Sequence, residues 1–282
     1  MEIDANTTCL GLLGNPVAHS LSPLLHNYVL NQMGLNYVYL PFQIMESQLK
    51  HAVNAIRSLN FRGVNVTIPY KEKVIPYLDE VDPEALDCGA VNVIKNEAGK
   101  LVGYNTDGQG FVASLREKNV PIKGRVLFLG AGGAARSLAW ALAAAGVEHI
   151  DLMDINQERA YHLAKALSGT VKAEAYLMNE AVFSRLAQFS NIIINCTPVG
   201  MYPRITQSPV ENLEMLQPGT VLCDIIYNPL QTKFLRLGQA VGLKTINGLP
   251  MFVHQAALSL EIWLGIKPSV QLMKEVLLNV LD

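Results

Sequence analysis

The chain has 282 residues, of which 50% are hydrophobic and 16% charged, and its formal net charge is −2 at pH 7. This composition is typical of a well-packed globular protein with one large domain or two ordinary ones, and it excludes a disordered chain. The sequence contains no basic run, so nucleic acid is not an expected partner. The polar start, MEIDANTT, does not resemble a signal peptide, and no apolar run reaches the ~18–20 residues of a membrane span. We expect a cytoplasmic protein that does not bind membranes.

The chain has four cysteines, Cys9, Cys88, Cys196 and Cys223. They show no paired spacing, and three of them lie in apolar runs typical of strands. We interpret them as reduced thiols of the protein interior, and not as disulfide partners or metal ligands. No metal site is expected from the sequence.

The first half of the chain alternates between strand and helix patterns. After a strand at residues 8–14, a helix is expected over 22–34, with Ser22 as its N-cap and Pro23 as its first residue. The following patterns predict a strand at 37–44, a helix at 46–59, a strand at 63–69, a helix at 70–78, a hairpin at 91–105 and a helix from Asp107 to about Lys118.

The stretch VLFLGAGGAAR, residues 126–136, joins an apolar strand to an Ala-rich helix through a glycine turn of the form G-x-G-x-x-A. This is the opening of a Rossmann-type dinucleotide-binding fold. The first glycine permits the tight turn, the second lets backbone N–H groups approach a pyrophosphate, and the alanine lets the helix pack closely. We therefore expect the turn to bind a dinucleotide through Gly130, Ala131, Gly132, Gly133 and Ala134.

The second half repeats the alternation, with expected strands at 149–155, 171–177, 191–197, 221–227 and 244–247 and helices at 157–167, 180–189, 231–240, 251–264 and 269–281. Strands separated by helices predict an α/β fold with parallel sheets covered on both faces. A proline-containing loop of about twenty residues precedes residue 221, which is long for a plain connection and suggests a functional loop.

Polar clusters follow several predicted strands, where open α/β sheets bind ligands. Taken singly, each of their residues has an ordinary structural explanation, such as a helix cap, an exposed lysine or a hairpin pair: Ser22, Lys71, Asn92, Asp107, Tyr227 and Gln255. The isolated histidines, His19, His26 and His254, are not expected to be catalytic.

Taken together, eight segments resemble, in order, the signatures of the shikimate dehydrogenase family: HSLSPLLHN, GVNVTIPYK, GAVN, NTDGQGF, GAGGA, NCTPVGM, DIIYNPLQT and NGLPMFVHQAA. The resemblance extends from Gly11 to about Trp263. It implies a substrate-binding α/β domain of residues 1–106 plus 247–282, a Rossmann-type domain of residues 107–246, and an active-site cleft between them. It also implies NAD(P)-dependent reduction of 3-dehydroshikimate to shikimate, on the route to chorismate and aromatic amino acids, by a monomer or homodimer.

The resemblance assigns roles to matching residues. Ser20, Ser22 and Tyr227 would hold the substrate carboxylate, and the substrate hydroxyls would meet Thr67, Lys71, Asn92, Asp107 and Gln255. Lys71 and Asp107 would form the catalytic pair, because hydride transfer to a carbonyl carbon requires a proton donor at the oxygen. The further expected cofactor contacts are Asp154, Asn156, Arg159, Thr197, Ile225 and Gly248.

The end of the second Rossmann strand departs from the family. Relatives that use NADP usually have N-R-S or N-R-T there, whereas this chain has Asp154, Ile155 and Asn156. The carboxylate can accept a hydrogen bond from a ribose 2′-hydroxyl and would repel a 2′-phosphate, so we expect a preference for NAD of at least about tenfold in kcat/KM. Use of NADP stays open because Arg159 lies one helical turn on, and Asp154 has the alternative role of capping the next helix.

Two other functions compete with this interpretation. A catabolic quinate/shikimate dehydrogenase is the nearer rival, although quinate-preferring relatives tend to have Thr where this chain has Ser22. A non-catalytic regulatory homologue that only binds the ligand would have lost the catalytic pair, and this chain keeps both Lys71 and Asp107.

Overall fold

A computed structural model describes residues 2–281. The chain forms two compact units: the first runs up to Asp107 and resumes over Val253–Val280, and the second comprises Gly108–Phe252. The described α-helices are α1 (Ser22–Gln32), α2 (Leu49–Ser58), α3 (Pro83–Cys88), α4 (Asp107–Glu117), α5 (Gly133–Ala144), α6 (Gln157–Leu167), α7 (Glu180–Ala187), α8 (Lys233–Ala240), α9 (Leu249–Leu264) and α10 (Val270–Leu281). The strands are β1 (Thr8–Gly14), β2 (Tyr37–Gln43), β3 (Gly63–Val66), β4 (Glu80–Val81), β5 (Val93–Glu97), β6 (Lys100–Tyr104), β7 (Arg125–Leu129), β8 (His149–Asp154), β9 (Lys172–Leu177), β10 (Ile192–Asn195), β11 (Val221–Asp224) and β12 (Lys244–Ile246).

The sheet of the first unit has the strand order β2-β1-β3-β5-β6-β4. Strands β1, β2 and β3 are parallel, but β5 runs antiparallel to both β3 and β6. The antiparallel pair β5–β6 is the hairpin expected over residues 91–105, and its short turn permits only antiparallel pairing. Asn65 pairs with Val93, so the residue before β5, Asn92, lies at the edge of the sheet where β3 ends.

The second sheet is entirely parallel, with the order β12-β11-β10-β7-β8-β9. Counted from β7 as the first strand, this is the 3-2-1-4-5-6 order of the Rossmann fold. Alternate residues of β7 enter different apolar clusters, with Val126 and Phe128 in one and Leu127 and Leu129 in the other. Both faces of the sheet are therefore covered, which explains the continuous apolar runs of its strands.

Two local elements differ from the sequence expectations. The segment 70–78 forms turns and a short 3-10 helix, Ile75–Tyr77, in place of an α-helix. Pro76 explains this, since its ring would meet the carbonyl of residue 72 in a continuing helix. The unexpected helix α3 begins after Asp82, whose side chain accepts a hydrogen bond from the Glu84 N–H, and it ends at the left-handed Gly89.

No helix among residues 2–281 is long and apolar enough to cross a membrane.

The first unit contains a close approach that only glycine permits. The fully buried Trp263 of α9 donates a hydrogen bond from Nε1 to the Ile94 carbonyl at 2.9 Å. A Cβ atom on Gly63 would lie 2.3 Å from that Nε1 and 2.5 Å from the same carbonyl oxygen. Strand β3 therefore packs against the indole without an intervening side chain.

Gly63→Ala is expected to lower the free energy of unfolding by about 1–3 kcal/mol, because the indole and strand must move apart. Gly169→Ala is the matched control, since a Cβ there would meet nothing within 4 Å. The control should change stability by no more than about 0.5 kcal/mol. Urea denaturation of the three proteins measures both effects, and equal midpoints for the two variants would contradict the packing argument.

Candidate active site

A buried ion pair lies at the edge of the first sheet where β3 and β6 end. Lys71 Nζ lies 2.5 Å from Asp107 Oδ2, and the two side chains are only 18% and 8% exposed. Asn92 donates a hydrogen bond from Nδ2 to Asp107 Oδ1 at 2.8 Å, so both carboxylate oxygens have a donor. Thr106 donates its backbone N–H to Asn92 Oδ1 at 2.8 Å. The lysine ammonium is thus held in place by a carboxylate that is itself fixed.

The sequence places these three side chains on different elements. Lys71 follows the turn after β3, Asn92 precedes β5, and Asp107 is the first residue of α4. The backbone N–H of Asp107 donates to Asn105 Oδ1 at 3.0 Å, which fixes the start of the helix. The antiparallel course of β5 is what brings Asn92 beside the other two.

The predicted carboxylate-binding serines lie between β1 and α1. Ser22 is the first residue of α1 and Leu21 is its N-cap, so the expectation of Ser22 as the cap is wrong. The Ser20 hydroxyl accepts a hydrogen bond from the Ser22 N–H at 3.2 Å, which makes Ser20 the side chain that satisfies this helix start. Ser22 therefore does not serve as a cap, and the residue is only 7% exposed.

Thr67 follows β3, and its N–H donates to the Leu13 carbonyl at 2.9 Å. Its Cγ2 would lie 2.3 Å from a Cβ on Gly14, so the glycine at the end of β1 leaves room for it. Gln255 lies on the α9 segment of the first unit. Tyr227 belongs to the second unit, where its ring stacks on Phe252 at 4.6 Å. The structure thus places all the predicted substrate residues except Tyr227 in the first unit.

The glycine turn of the second unit joins β7 to α5. Gly130 has φ = +97° and donates its N–H to the Met153 carbonyl at 2.7 Å. A Cβ on Gly130 would lie 2.9 Å from Thr197 Cγ2, so the turn and the end of β10 are in contact. Gly132 is the N-cap of α5 and supplies no side-chain hydrogen bond. The first N–H groups of α5 therefore have no capping side chain and are suited to an anion.

Asp154, at the end of β8, is occupied by backbone groups. Its carboxylate accepts hydrogen bonds from the Ala131 and Asn156 N–H groups, both at 2.8 Å, and the side chain is 5% exposed. Asn156 is the N-cap of α6 and accepts from the Arg159 N–H at 3.2 Å. Arg159 Nη1 lies 3.8 Å from Asp154 Oδ2, and its side chain is 56% exposed. The carboxylate therefore supports the two turns, and Arg159 is the charged group at this site that extends to the surface.

The ends of β10 and β11 are tied together by a second polar network. The buried Asp224 accepts hydrogen bonds from Asn195 Nδ2 at 3.2 Å, the Thr232 hydroxyl at 2.7 Å and the Ile226 N–H at 3.0 Å. The Thr197 hydroxyl donates to Asn195 Oδ1 at 2.7 Å. Burial raises the pKa of Asp224 to about 6, and these hydrogen bonds offset part of that shift. The network fixes the loop that contains Thr197.

Ile225 and Gly248 come together at the next loop. Gly248 donates its N–H to the Ile226 carbonyl at 2.9 Å, and a Cβ on Gly248 would lie 2.1 Å from the Ile225 carbonyl oxygen. The glycine is required by this backbone contact. The predicted cofactor residues Thr197, Ile225 and Gly248 thus all lie at the carboxyl ends of β10, β11 and β12.

Sequence reasoning missed several buried polar residues that support these sites: Asn65, Thr106, Asn195 and Asp224. Each lies within or beside a segment that carried the family resemblance, such as GVNVTIPYK or NCTPVGM. Their positions in otherwise apolar strand ends were the available signal, since a buried polar group requires partners.

One group of three potential metal ligands occurs among the described residues, formed by His149, Asp151 and Glu174. Arg125 pairs with both carboxylate oxygens of Asp151, and Tyr176 donates its hydroxyl hydrogen to Glu174 at 2.5 Å. The guanidinium already balances the buried charge. This network at the start of β7, β8 and β9 is therefore explained as an ion pair.

The chain matches three family descriptions: "Shikimate dehydrogenase substrate binding domain" over residues 12–94, "Shikimate / quinate 5-dehydrogenase" over 114–230, and "Shikimate 5'-dehydrogenase C-terminal domain" over 248–278. It is 55% identical over 284 aligned positions to a protein from Syntrophomonas wolfei subsp. wolfei named shikimate dehydrogenase (NADP(+)), and the match covers 100% of this chain and 98% of the relative.

Solved structures of shikimate dehydrogenases are also similar to this chain. A shikimate dehydrogenase in complex with NADP+ superposes with a TM-score of 0.92 at 39% identity, covering 100% of this chain and 98% of that chain. The enzyme of Thermus thermophilus, in complex with NADP(H) and shikimate, has a TM-score of 0.87 at 36% identity, covering 96% and 99%.

The expectation that this chain favours NAD is wrong. The Syntrophomonas relative and two further relatives at 43% identity carry the name shikimate dehydrogenase (NADP(+)), and a solved neighbour was crystallised with NADP+. The physical reason lies in Asp154, whose two oxygens accept hydrogen bonds from backbone N–H groups and whose side chain is only 5% exposed. The presence of a carboxylate at this position is explained by its hydrogen bonds to the two turns, and not by a hydrogen bond to a cofactor hydroxyl.

The matched family descriptions together cover most of the chain, including Lys71 and strands β7 to β11 of the Rossmann sheet. The identity of 55% extends over the whole sequence. The chain belongs to the shikimate dehydrogenase family.

Proposed function

We propose that the chain catalyses the reversible, NADP-dependent reduction of 3-dehydroshikimate to shikimate, a step toward chorismate and the aromatic amino acids. The observation that carries this proposal is the Lys71–Asp107 pair, oriented by Asn92 at the carboxyl edge of the first sheet. A non-catalytic homologue has no need of an oriented proton donor. The function of the relatives, as their names give it, supports the same reaction.

The substrate carbonyl requires a proton donor as it becomes a hydroxyl. NADPH supplies the hydride when bound, and the Lys71 ammonium donates a proton to the carbonyl oxygen. In the oxidation of shikimate the same nitrogen receives the hydroxyl proton. Asp107 keeps the ammonium in one position, and a positioned acid of this kind contributes typically about 10²–10⁴-fold to the rate.

The remaining polar residues of the first unit match the functional groups of a small polyol acid. We assign the substrate carboxylate to Ser20 and Ser22, with Tyr227 of the second unit as a further contact. The substrate hydroxyls are assigned to Thr67, Asn92 and Gln255, alongside the catalytic pair. Neutral donors and acceptors of this kind reject analogues that leave them unpaired.

The residues of the second unit fit NADP. The uncapped start of α5 at Gly132 suits the pyrophosphate, and Arg159 is the residue that we assign to the 2′-phosphate. The other assigned contacts lie around the turn and at the ends of β8, β10, β11 and β12: Gly130, Ala131, Gly133, Ala134, Asn156, Thr197, Ile225 and Gly248. In this assignment, residues 107–246 form the cofactor domain and residues 1–106 plus 247–282 the substrate domain.

We place the enzyme in the cytoplasm, as a monomer or homodimer. The four cysteines are free thiols, which agrees with a reducing compartment. Burial raises the pKa values of Cys196 and Cys223 in the second unit, so these two thiols stay protonated and unreactive near neutral pH.

Lys71→Ala is expected to lower kcat for shikimate oxidation by about 10²-fold or more, because the proton-transfer group is lost. Lys73→Ala is the matched control, since Lys73 is an exposed lysine of the same segment that pairs with Glu46. It should retain activity within about twofold of wild type. The activities of both variants are measured as steady-state rates from the absorbance of reduced nicotinamide. The same assay with quinate in place of shikimate tests the alternative substrate. A Lys71→Ala enzyme as active as the control would contradict the assigned role.

Arg159→Ala is expected to raise the KM for NADP+ by roughly tenfold or more while the KM for NAD+ stays within about twofold. A hydrogen bond to a charged group is worth about 1.5–3 kcal/mol, and only NADP carries the 2′-phosphate. Arg185→Ala on α7 is the control, since that guanidinium lies 5.7 Å from the Tyr176 ring centroid. Equal KM changes for the two cofactors would exclude Arg159 as the phosphate contact.

A further inference from the structure

Tyr39 lies in the edge strand β2, and each of its polar atoms makes a hydrogen bond to another side chain. Its backbone N–H donates to Asn27 Oδ1 and its carbonyl accepts from Asn27 Nδ2, both at 2.8 Å. Its hydroxyl donates to Asn65 Oδ1, also at 2.8 Å. The residue is 0% exposed, so it is held between α1 and β3 without contact with solvent.

The ring of Tyr39 is confined by two other aromatic side chains. His26 stacks on it with ring centroids 4.5 Å apart, and Trp263 lies tilted at 6.2 Å. Burial lowers the pKa of His26 to about 3, so the imidazole is neutral near pH 7. Neither of its ring nitrogens has a hydrogen-bond partner among the described residues. The stack thus fixes the ring orientation by packing, without adding a charge.

The hydroxyl is the start of a connected hydrogen-bond network. Asn65 donates from Nδ2 to the Asn92 carbonyl and to the Ser259 hydroxyl, both at 3.1 Å. The Ser259 hydroxyl in turn donates to the Gln255 carbonyl at 2.9 Å.

The donor directions in this network run one way. The Tyr39 hydroxyl has one hydrogen and gives it to Asn65. Both hydrogens of the Asn65 amide are then used, and the Ser259 hydroxyl accepts one bond and donates one. Each donor and acceptor in the network is therefore assigned to one partner, and any other pattern of hydrogen bonds would require breaking a buried one.

We propose that Tyr39 is a positioning residue whose hydroxyl, through Asn65, holds Asn92 and Gln255 in one arrangement and thereby sets the affinity for shikimate. This inference rests on the proposed function, which assigns those two residues to the substrate. Tyr39 acts only through them, because it is fully buried. Asn92 also holds Asp107, so the same network extends from Tyr39 to the catalytic pair.

Loss of the hydroxyl removes the donor to Asn65 Oδ1. The Asn65 amide then has a buried, unpaired oxygen and is free to rotate, which releases the Asn92 carbonyl and Ser259. The expected consequence is weaker substrate binding, since binding must then include the free-energy cost of ordering the side chains that contact the substrate.

The test compares Tyr39→Phe with wild type by calorimetric titration with shikimate and by steady-state kinetics. The Kd and KM for shikimate should rise about five- to tenfold, while the KM for NADP+ stays within twofold. Tyr70→Phe is the matched control, because Tyr70 is equally buried in the same unit but donates only to the Ile44 carbonyl. The control should leave the shikimate KM within twofold.

Ser259→Ala provides a second variant if Tyr39→Phe does not fold, since it breaks the link to Gln255 while removing only one oxygen. It should also raise the shikimate KM and not the NADP+ KM. Unchanged shikimate binding in a folded Tyr39→Phe enzyme, or equal rises in both KM values, would overturn the proposal. A wild-type protein that binds shikimate by calorimetry but does not oxidise it contradicts the proposed catalysis instead, and the calorimetric comparison then still decides the role of Tyr39.

Discussion

The first unit depends on keeping a lysine ammonium and a carboxylate together in a place that is largely closed to water. A buried charge is costly unless it is paired and hydrogen-bonded. Lys71 and Asp107 meet this condition together with Asn92. One carboxylate oxygen of Asp107 pairs with the lysine ammonium, and the other accepts a hydrogen bond from the Asn92 amide. Removing any member would leave a buried polar group without its partner, which makes the three residues a single unit in stability as well as in chemistry.

This arrangement depends on the topology of the first sheet. Asn92 reaches the ion pair only because β5 runs against β3, so that its first residues lie beside the last residues of β3. The same edge carries Asn65, which connects Asn92 to the buried Tyr39. The second unit uses a similar device, in which Asn195 and Asp224 tie together the ends of two neighbouring strands. In both units, buried amide and carboxylate side chains hold the loops from which ligand contacts are assigned.

Much of the fold was predictable because its signals are local. The apolar runs of β7, β10 and β11 and the glycine turn predict the Rossmann sheet, and the resemblance of ordered motifs predicts the family. The helix expected at 70–78 does not form, because Pro76 interrupts it although the apolar pattern alone favours a helix. The NAD preference was wrong because it depended on where one carboxylate points, and the partners of Asp154 are backbone N–H groups, one of them from a turn 23 residues away. The sequence shows which residue stands at the end of a strand. The role of that residue depends on hydrogen-bond partners that are distant in sequence.

Whether Lys71 and Asp107 act as one unit is measured by a double-mutant cycle on kcat for shikimate oxidation, with Lys71→Ala, Asp107→Asn and the combined variant. The effects of residues that act as one unit are strongly non-additive, because the second substitution removes a partner that has already lost its function. We expect the combined variant to lose about as much activity as Lys71→Ala alone. Losses that simply multiply would show that the two side chains act independently and would contradict their role as a pair.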